Sequence, residues 1–76
     1  MDKTEKEKYL KSFGKHLTQL RLSKNLSQAQ LSYEVELDVM TISRIERGLL
    51  NISIVNSYKI AKALGVEQKE LFDFNY

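Results

Sequence analysis

Cysteine and proline are missing from this 76-residue chain, and glycine occurs only at Gly14, Gly48 and Gly65. Without cysteine there is no disulfide framework and no thiolate metal site. Without proline, and with so few glycines, the chain suits helices joined by short connections and argues against a turn-rich sheet protein. No apolar run exceeds three residues, too short for a membrane-spanning helix. The charged, apolar-poor N-terminus does not read as a secretory signal, so a soluble, cytoplasmic protein is expected. The lone histidine, His16, is expected to lie exposed on the first helix, and one histidine without cysteine makes no metal site. Serine, histidine and aspartate all occur, but without a nucleophile elbow or other catalytic spacing. A chain this short also leaves little room for an enclosed catalytic cleft. The expectation is a single non-enzymatic domain over residues 1–76, with residues 1–8 and 74–76 frayed and with no cofactor, metal or small-molecule ligand.

The formal net charge is only +2. Its distribution is more informative: residues 1–8 balance, residues 9–65 carry eight basic groups against four acidic ones, and residues 66–76 are net acidic. Positive charge therefore concentrates in the body of the chain, which is compatible with a phosphate-binding footprint.

What is present is helical period. Thr4-Glu5-Lys6-Glu7 matches a capping box, and Leu10, Phe13, Leu17 and Leu20 then recur at three- and four-residue steps. This predicts a first helix over about residues 5–24, with Asn25 in the left-handed turn that leaves it. Gly14 within that helix costs roughly 1 kcal/mol against alanine, which points to close packing. Ser27 and Gln30 form a second capping box, and Leu31 and Val35 share one face. Asp38 is an N-cap for a third helix carrying Ile42 and Ile45, which Gly48 stops. Ser53 caps a fourth helix with Ile54, Tyr58, Ala61 and Leu64 on one face and Ile60 beside it, ending at Gly65. Residues 66–72 read as a short fifth helix with Leu71 and Phe72 turned inward. The expected core is Phe13, Leu17, Leu20, Leu31, Val35, Ile42, Ile45, Ile60, Leu64 and Leu71. The second and third helices, over about residues 27–48, have the spacing of a helix-turn-helix; an ordinary packed helix pair is the alternative on spacing alone.

The run SQAQLSYEVELDVMTISRIERG, followed by NISIVNSYKIAKALGV and ELF, resembles the Cro/phage-repressor-type helix-turn-helix family, also called the XRE family. Within it, length and the Asn51-Ile52-Ser53 stretch look most like small stand-alone regulators such as the controller proteins of restriction–modification systems. The resemblance covers about residues 13–72. It implies an all-α, compact five-helix repressor-like DNA-binding domain, acting as a homodimer on double-stranded DNA with a two-fold symmetric operator. A sequence-specific transcriptional regulator is the expected function. The alternative is an antitoxin-like or other protein-interaction module with secondary DNA binding. Two departures stand out: Glu36 occupies a turn position where the family often has glycine, and Val39 and Met40 stand where polar or long basic side chains are frequent.

In a helix-turn-helix the N-terminal part of the second helix meets base edges. That points to Val39, Met40, Thr41, Ser43 and Arg44. Arg44 is suited to guanine O6 and N7, and Val39 and Met40 to thymine methyl groups. Lys24, Ser27, Gln28, Arg47 and Asn51 are the expected phosphate contacts. Gln28 opens a helix whose amides favour an anion, and the family uses this glutamine so. The resemblance also implies a largely buried structural ion pair between Arg21 and Glu46. Lys11, Lys15, Lys59 and Lys62 are read as solvated surface. Leu50, Val55, Phe72 and Phe74 are the expected dimer interface, since apolar patches of this kind mark protein contacts.

Overall fold

The computed structural model describes every residue from Met1 to Tyr76. Four α-helices follow one another: α1 over Lys3–Ser23, α2 over Gln28–Val35, α3 over Val39–Glu46 and α4 over Ile54–Leu64. A 3₁₀ helix over Gln68–Phe72 takes the place of the expected fifth α-helix. Five residues give too few i→i−4 bonds to sustain an α-helix, and 3₁₀ geometry serves such short pieces. The molecule measures 33 × 23 × 21 Å.

Each α-helix is bounded by the same two devices. At the N-terminus a short polar side chain accepts from the amide three residues on: Asp2 from Glu5, Ser27 from Gln30, Asp38 from Thr41 and Ser53 from Asn56. Only the first differs from expectation. Asp2, not Thr4, is the cap, so α1 starts earlier and its first turns are helical. At Ser27 the full capping box is present, with the Ser27 amide donating to Gln30 Oε1 at 2.7 Å. At the C-terminus a residue in the left-handed region ends each helix: Asn25, Glu36, Gly48 and Gly65. The next amide then bonds back five residues, Leu26 to Arg21, Leu37 to Ser32, Leu49 to Arg44 and Val66 to Ala61. This pattern satisfies carbonyls that the helix leaves open.

The core is Phe13, Leu17, Leu31, Val35, Ile42, Ile45, Ile60, Ala61, Leu64 and Leu71. Nine of these are the expected residues. Leu20 lies at the margin, only partly buried, and Ala61 takes a core place. The inward face of α4 is rotated from expectation: Ser57, Ile60, Ala61 and Leu64 are buried, whereas Ile54 and Tyr58 are exposed. Buried Ser57 pays no desolvation penalty, because its hydroxyl donates to the Ile54 carbonyl and accepts from Gln68 Nε2, both at 2.7 Å. That bond also pins the 3₁₀ helix to α4.

Helix α1 lies directly on the end of α3. A Cβ at Gly14 would overlap the Glu46 carbonyl and lie 2.6 Å from the Ile45 oxygen. Glycine is required there for backbone approach, which offsets its poor helix propensity. The C-terminal tail folds back over α1, with the Phe74 ring 5.2 Å from Tyr9 and 5.9 Å from Phe13. Leu71 is fully buried, but Phe72 is half exposed, stacked on Phe13 at 5.5 Å. His16 is not an exposed surface residue: it is half-buried, its Nε2 donates to the Glu70 carbonyl at 2.7 Å, and Phe74 packs beside it.

Candidate nucleic-acid interface

The orientation of α3 follows from three anchors. Ile42 and Ile45 are buried, so the opposite face of this two-turn helix must point outward. Asp38 fixes its start, accepting from the Thr41 amide at 2.7 Å. That amide bond, reinforced by the Arg44 charge, holds the Asp38 carboxyl below the usual carboxylate range. The third anchor closes the helix. Arg21 meets Glu46 through two bonds, Nε to Oε2 at 2.7 Å and Nη2 to Oε1 at 3.0 Å, and Nη1 donates to the Leu26 carbonyl at 2.8 Å.

This bidentate pair is nearly sealed from water, with side-chain exposures of 8% and 4%. Burial opposes ionisation of Glu46. Hydrogen bonds from Arg21 and Gln28, together with the Arg21 charge, outweigh it and lower the Glu46 pKa. Gln28 Nε2 donates to Glu46 Oε1 at 2.9 Å. One carboxylate thus joins α1, the start of α2 and the end of α3.

On the face left outward, Val39 and Met40 are 43% and 52% exposed, and Arg44 is also exposed. Thr41 and Ser43 are half-buried between them. The two apolar side chains at the head of α3 are therefore not consumed by packing against α2. Arg47 lies back along its own helix, its Nε donating to the Ser43 hydroxyl at 3.2 Å and to the Ser43 carbonyl at 3.3 Å.

The expected phosphate contacts lie on several elements. Lys24 and Asn51 are exposed, at the end of α1 and in the loop after α3. Ser27 uses its hydroxyl oxygen to cap α2, which leaves the hydroxyl proton to donate. Half-buried Gln28 begins α2 as expected and has a further partner. Its amide is committed to Glu46, a partner 18 residues away that no local pattern announces.

Of the expected interface residues, Val55 is 64% exposed, Leu50 38% and Phe72 43%, while Phe74 is half-buried against α1. Ile54 and Tyr58, at 81% and 54%, extend the apolar surface of α4 beyond the expected set.

Comparison with known proteins agrees with this geometry. The profile of the helix-turn-helix family matches residues 17–71. Control protein C.BamHI of Bacillus amyloliquefaciens is 52% identical over 63 residues, covering 82% of this chain and 78% of that protein. Control protein C.MunI of a Mycoplasma species is 43% identical over 61 residues, covering 79% of this chain and 82% of that protein. The crystal structure of the restriction-modification controller protein C.AhdI from Aeromonas hydrophila is similar with a TM-score of 0.81 and 44% identity, covering 83% of this chain and 96% of that one. The names are those of control proteins, and none is that of an enzyme.

Proposed function

The chain belongs to the helix-turn-helix family of the phage-repressor (XRE) type, with restriction–modification controller proteins among its close relatives, and from that premise we propose that it is a DNA-binding transcriptional regulator acting as a homodimer on a two-fold symmetric operator. The observation that carries this reading is the uncovered head of α3. Val39, Met40 and Arg44 face outward on a helix whose opposite side is buried and whose end is clamped by Glu46. A rigid, protruding helix start of this kind fits the major groove.

Arg44 reads a guanine through O6 and N7, while Val39 and Met40 pack on thymine methyl groups. Thr41 and Ser43 complete the base-facing set. Lys24, Ser27, Gln28, Arg47 and Asn51 set the register through phosphates, which carry no sequence information themselves. In this reading Gln28 has two roles, since the side chain that meets the backbone of DNA also holds the carboxylate that fixes α3.

The apolar surface of α4, with Leu50 and Phe72, supports self-association. Two copies joined there set their recognition helices about 34 Å apart, one turn of DNA.

Selection of bound duplexes from a random pool tests the proposal. An enriched inverted repeat, bound more weakly after scrambling and with a steep salt dependence, is the expected result. Arg44→Ala then loses one base preference, worth about 1–3 kcal/mol in discrimination, and keeps the others. Absence of any enriched site would defeat the operator reading and favour a protein-interaction role.

A further inference from the structure

We propose that the groove between the first half of α1 and the loop after α3 is a second track for the DNA backbone, in which Lys3, Lys6 and Lys11 hold phosphates beyond those reached from the helix-turn-helix. This rests on the DNA-binding reading above and extends its footprint. The groove is a cavity of about 530 Å³ whose lining includes the three lysines, Glu7, Leu10 and Asn51. Asn51 is itself an expected phosphate contact, so the groove starts where the proposed interface ends.

The charge sum hides this feature, because residues 1–8 balance to zero. Folding sorts those charges by face. Asp2 is turned onto its own helix, Oδ1 accepting from the Glu5 amide at 2.8 Å. The Glu5 carboxylate lies under the tail, where the Tyr76 hydroxyl donates to Oε2 at 3.3 Å. Positions 3, 6, 7, 10 and 11 share a helix face at the α period. Three ammonium groups therefore line the groove, opposed only by Glu7. None of the three is in an ion pair, since the salt bridges of the molecule are Arg21–Glu46 and Lys69–Glu67.

Gly48 keeps this face against the end of α3: a Cβ there would lie 2.7 Å from the Lys11 Cα. The backbone contact docks α1 at Lys11 beside the loop that carries Asn51, so the lysines and Asn51 line one groove. Lysine ammonium groups are point charges that bind phosphate without demanding a particular base. Continuity with Asn51 favours duplex DNA over an acidic protein as the occupant.

The test uses the triple variant Lys3→Gln, Lys6→Gln, Lys11→Gln, with folding checked by thermal melting. Glutamine is a good helix former and the three sites are exposed, so α1 is retained. Affinity is measured against salt for a duplex carrying the selected site and for a scrambled duplex. The expected result is a log–log slope shallower by about 2 to 3 per protomer on both duplexes. Base preferences stay unchanged. Lys59→Gln with Lys62→Gln on α4 leaves the slope as in wild type, and Glu7→Gln tightens binding. A folded triple variant with the wild-type slope overturns the groove while leaving the operator reading intact. Conversely, a reduced slope in a protein that prefers no sequence keeps the groove and defeats the operator reading. Failure of wild type to bind either duplex defeats both.

Discussion

A single carboxylate ties three helices of this domain to one another. Glu46 accepts two bonds from Arg21 and one from Gln28, in a setting where its side chain is 4% exposed. Removing one partner of a buried pair strands the other. Glu46→Ala is therefore expected to cost about 3–5 kcal/mol, measured by denaturant unfolding. A midpoint equal to wild type would show that the pair contributes nothing net. The same residue sets an acid limit. Its folded pKa is lowered, so the stabilisation is fully present above the unfolded value, ordinarily about 4.3. It is lost as pH falls from there through the lower folded value. Unfolding free energy should thus decline with acid below the usual glutamate range in wild type, and the decline should be smaller in Glu46→Ala.

At the level of elements, the turn between α2 and α3 stores avoidable strain. Glu36 has φ 59° and ψ 37°, the conformation that glycine adopts at Gly48 and Gly65. A side chain in this region costs about 1–2 kcal/mol. Its carboxylate makes no ion pair that would offset the strain. Glycine relieves the clash and returns about 0.5–1 kcal/mol of it as lost backbone entropy. Glu36→Gly is expected to raise stability by about 1 kcal/mol in a denaturant titration, and a lower midpoint would mean that the carboxylate has a use in the free protein. The caps of α2, α3 and α4 and the stops of α3 and α4 were legible because each depends on one residue and its near neighbours: Ser27 with Gln30, Asp38, Ser53, Gly48 and Gly65. The start of α1 at Asp2 was not legible because Thr4 and Asp2 are both competent caps, and only the folded chain shows which is used. The rotated face of α4 has a tertiary cause as well. Gln68 supplies a partner that lets Ser57 be buried, and Ile54 and Tyr58 are displaced outward as a result.

At the scale of the whole molecule, one group of exposed apolar side chains is gathered in a single stretch of chain. Ile54, Val55 and Tyr58 lie on α4, with Leu49 and Leu50 in the loop before it. A single small domain that leaves such a surface open gains by covering it with a second copy. Sedimentation at tens of micromolar is expected to give the mass of a dimer, and Val55→Lys is expected to shift it to the monomer while leaving the α3 face folded. A wild-type monomer across that range would count against the two-fold operator arrangement and leave single-site binding in its place. The aromatic tail takes the opposite course. Phe74 and Tyr76 pack on Tyr9 of the same chain, which reduces what the tail can offer to a partner.

The sequence by itself determined the helical class, three of the four helix starts, three of the four left-handed helix ends, nearly the whole core and the residues at the head of α3. Each of these follows from local period, capping chemistry or the conformational freedom of one residue, which act over a few positions. Tertiary structure alone decided the rest. It brought Gln28 onto the Arg21–Glu46 pair, laid Gly14 and Lys11 against the end of α3, folded the tail over His16, and turned Asp2 and Glu5 away from the groove that Lys3, Lys6 and Lys11 line. Those outcomes depend on where distant segments meet, and a balanced charge count or a helical period carries no information about that.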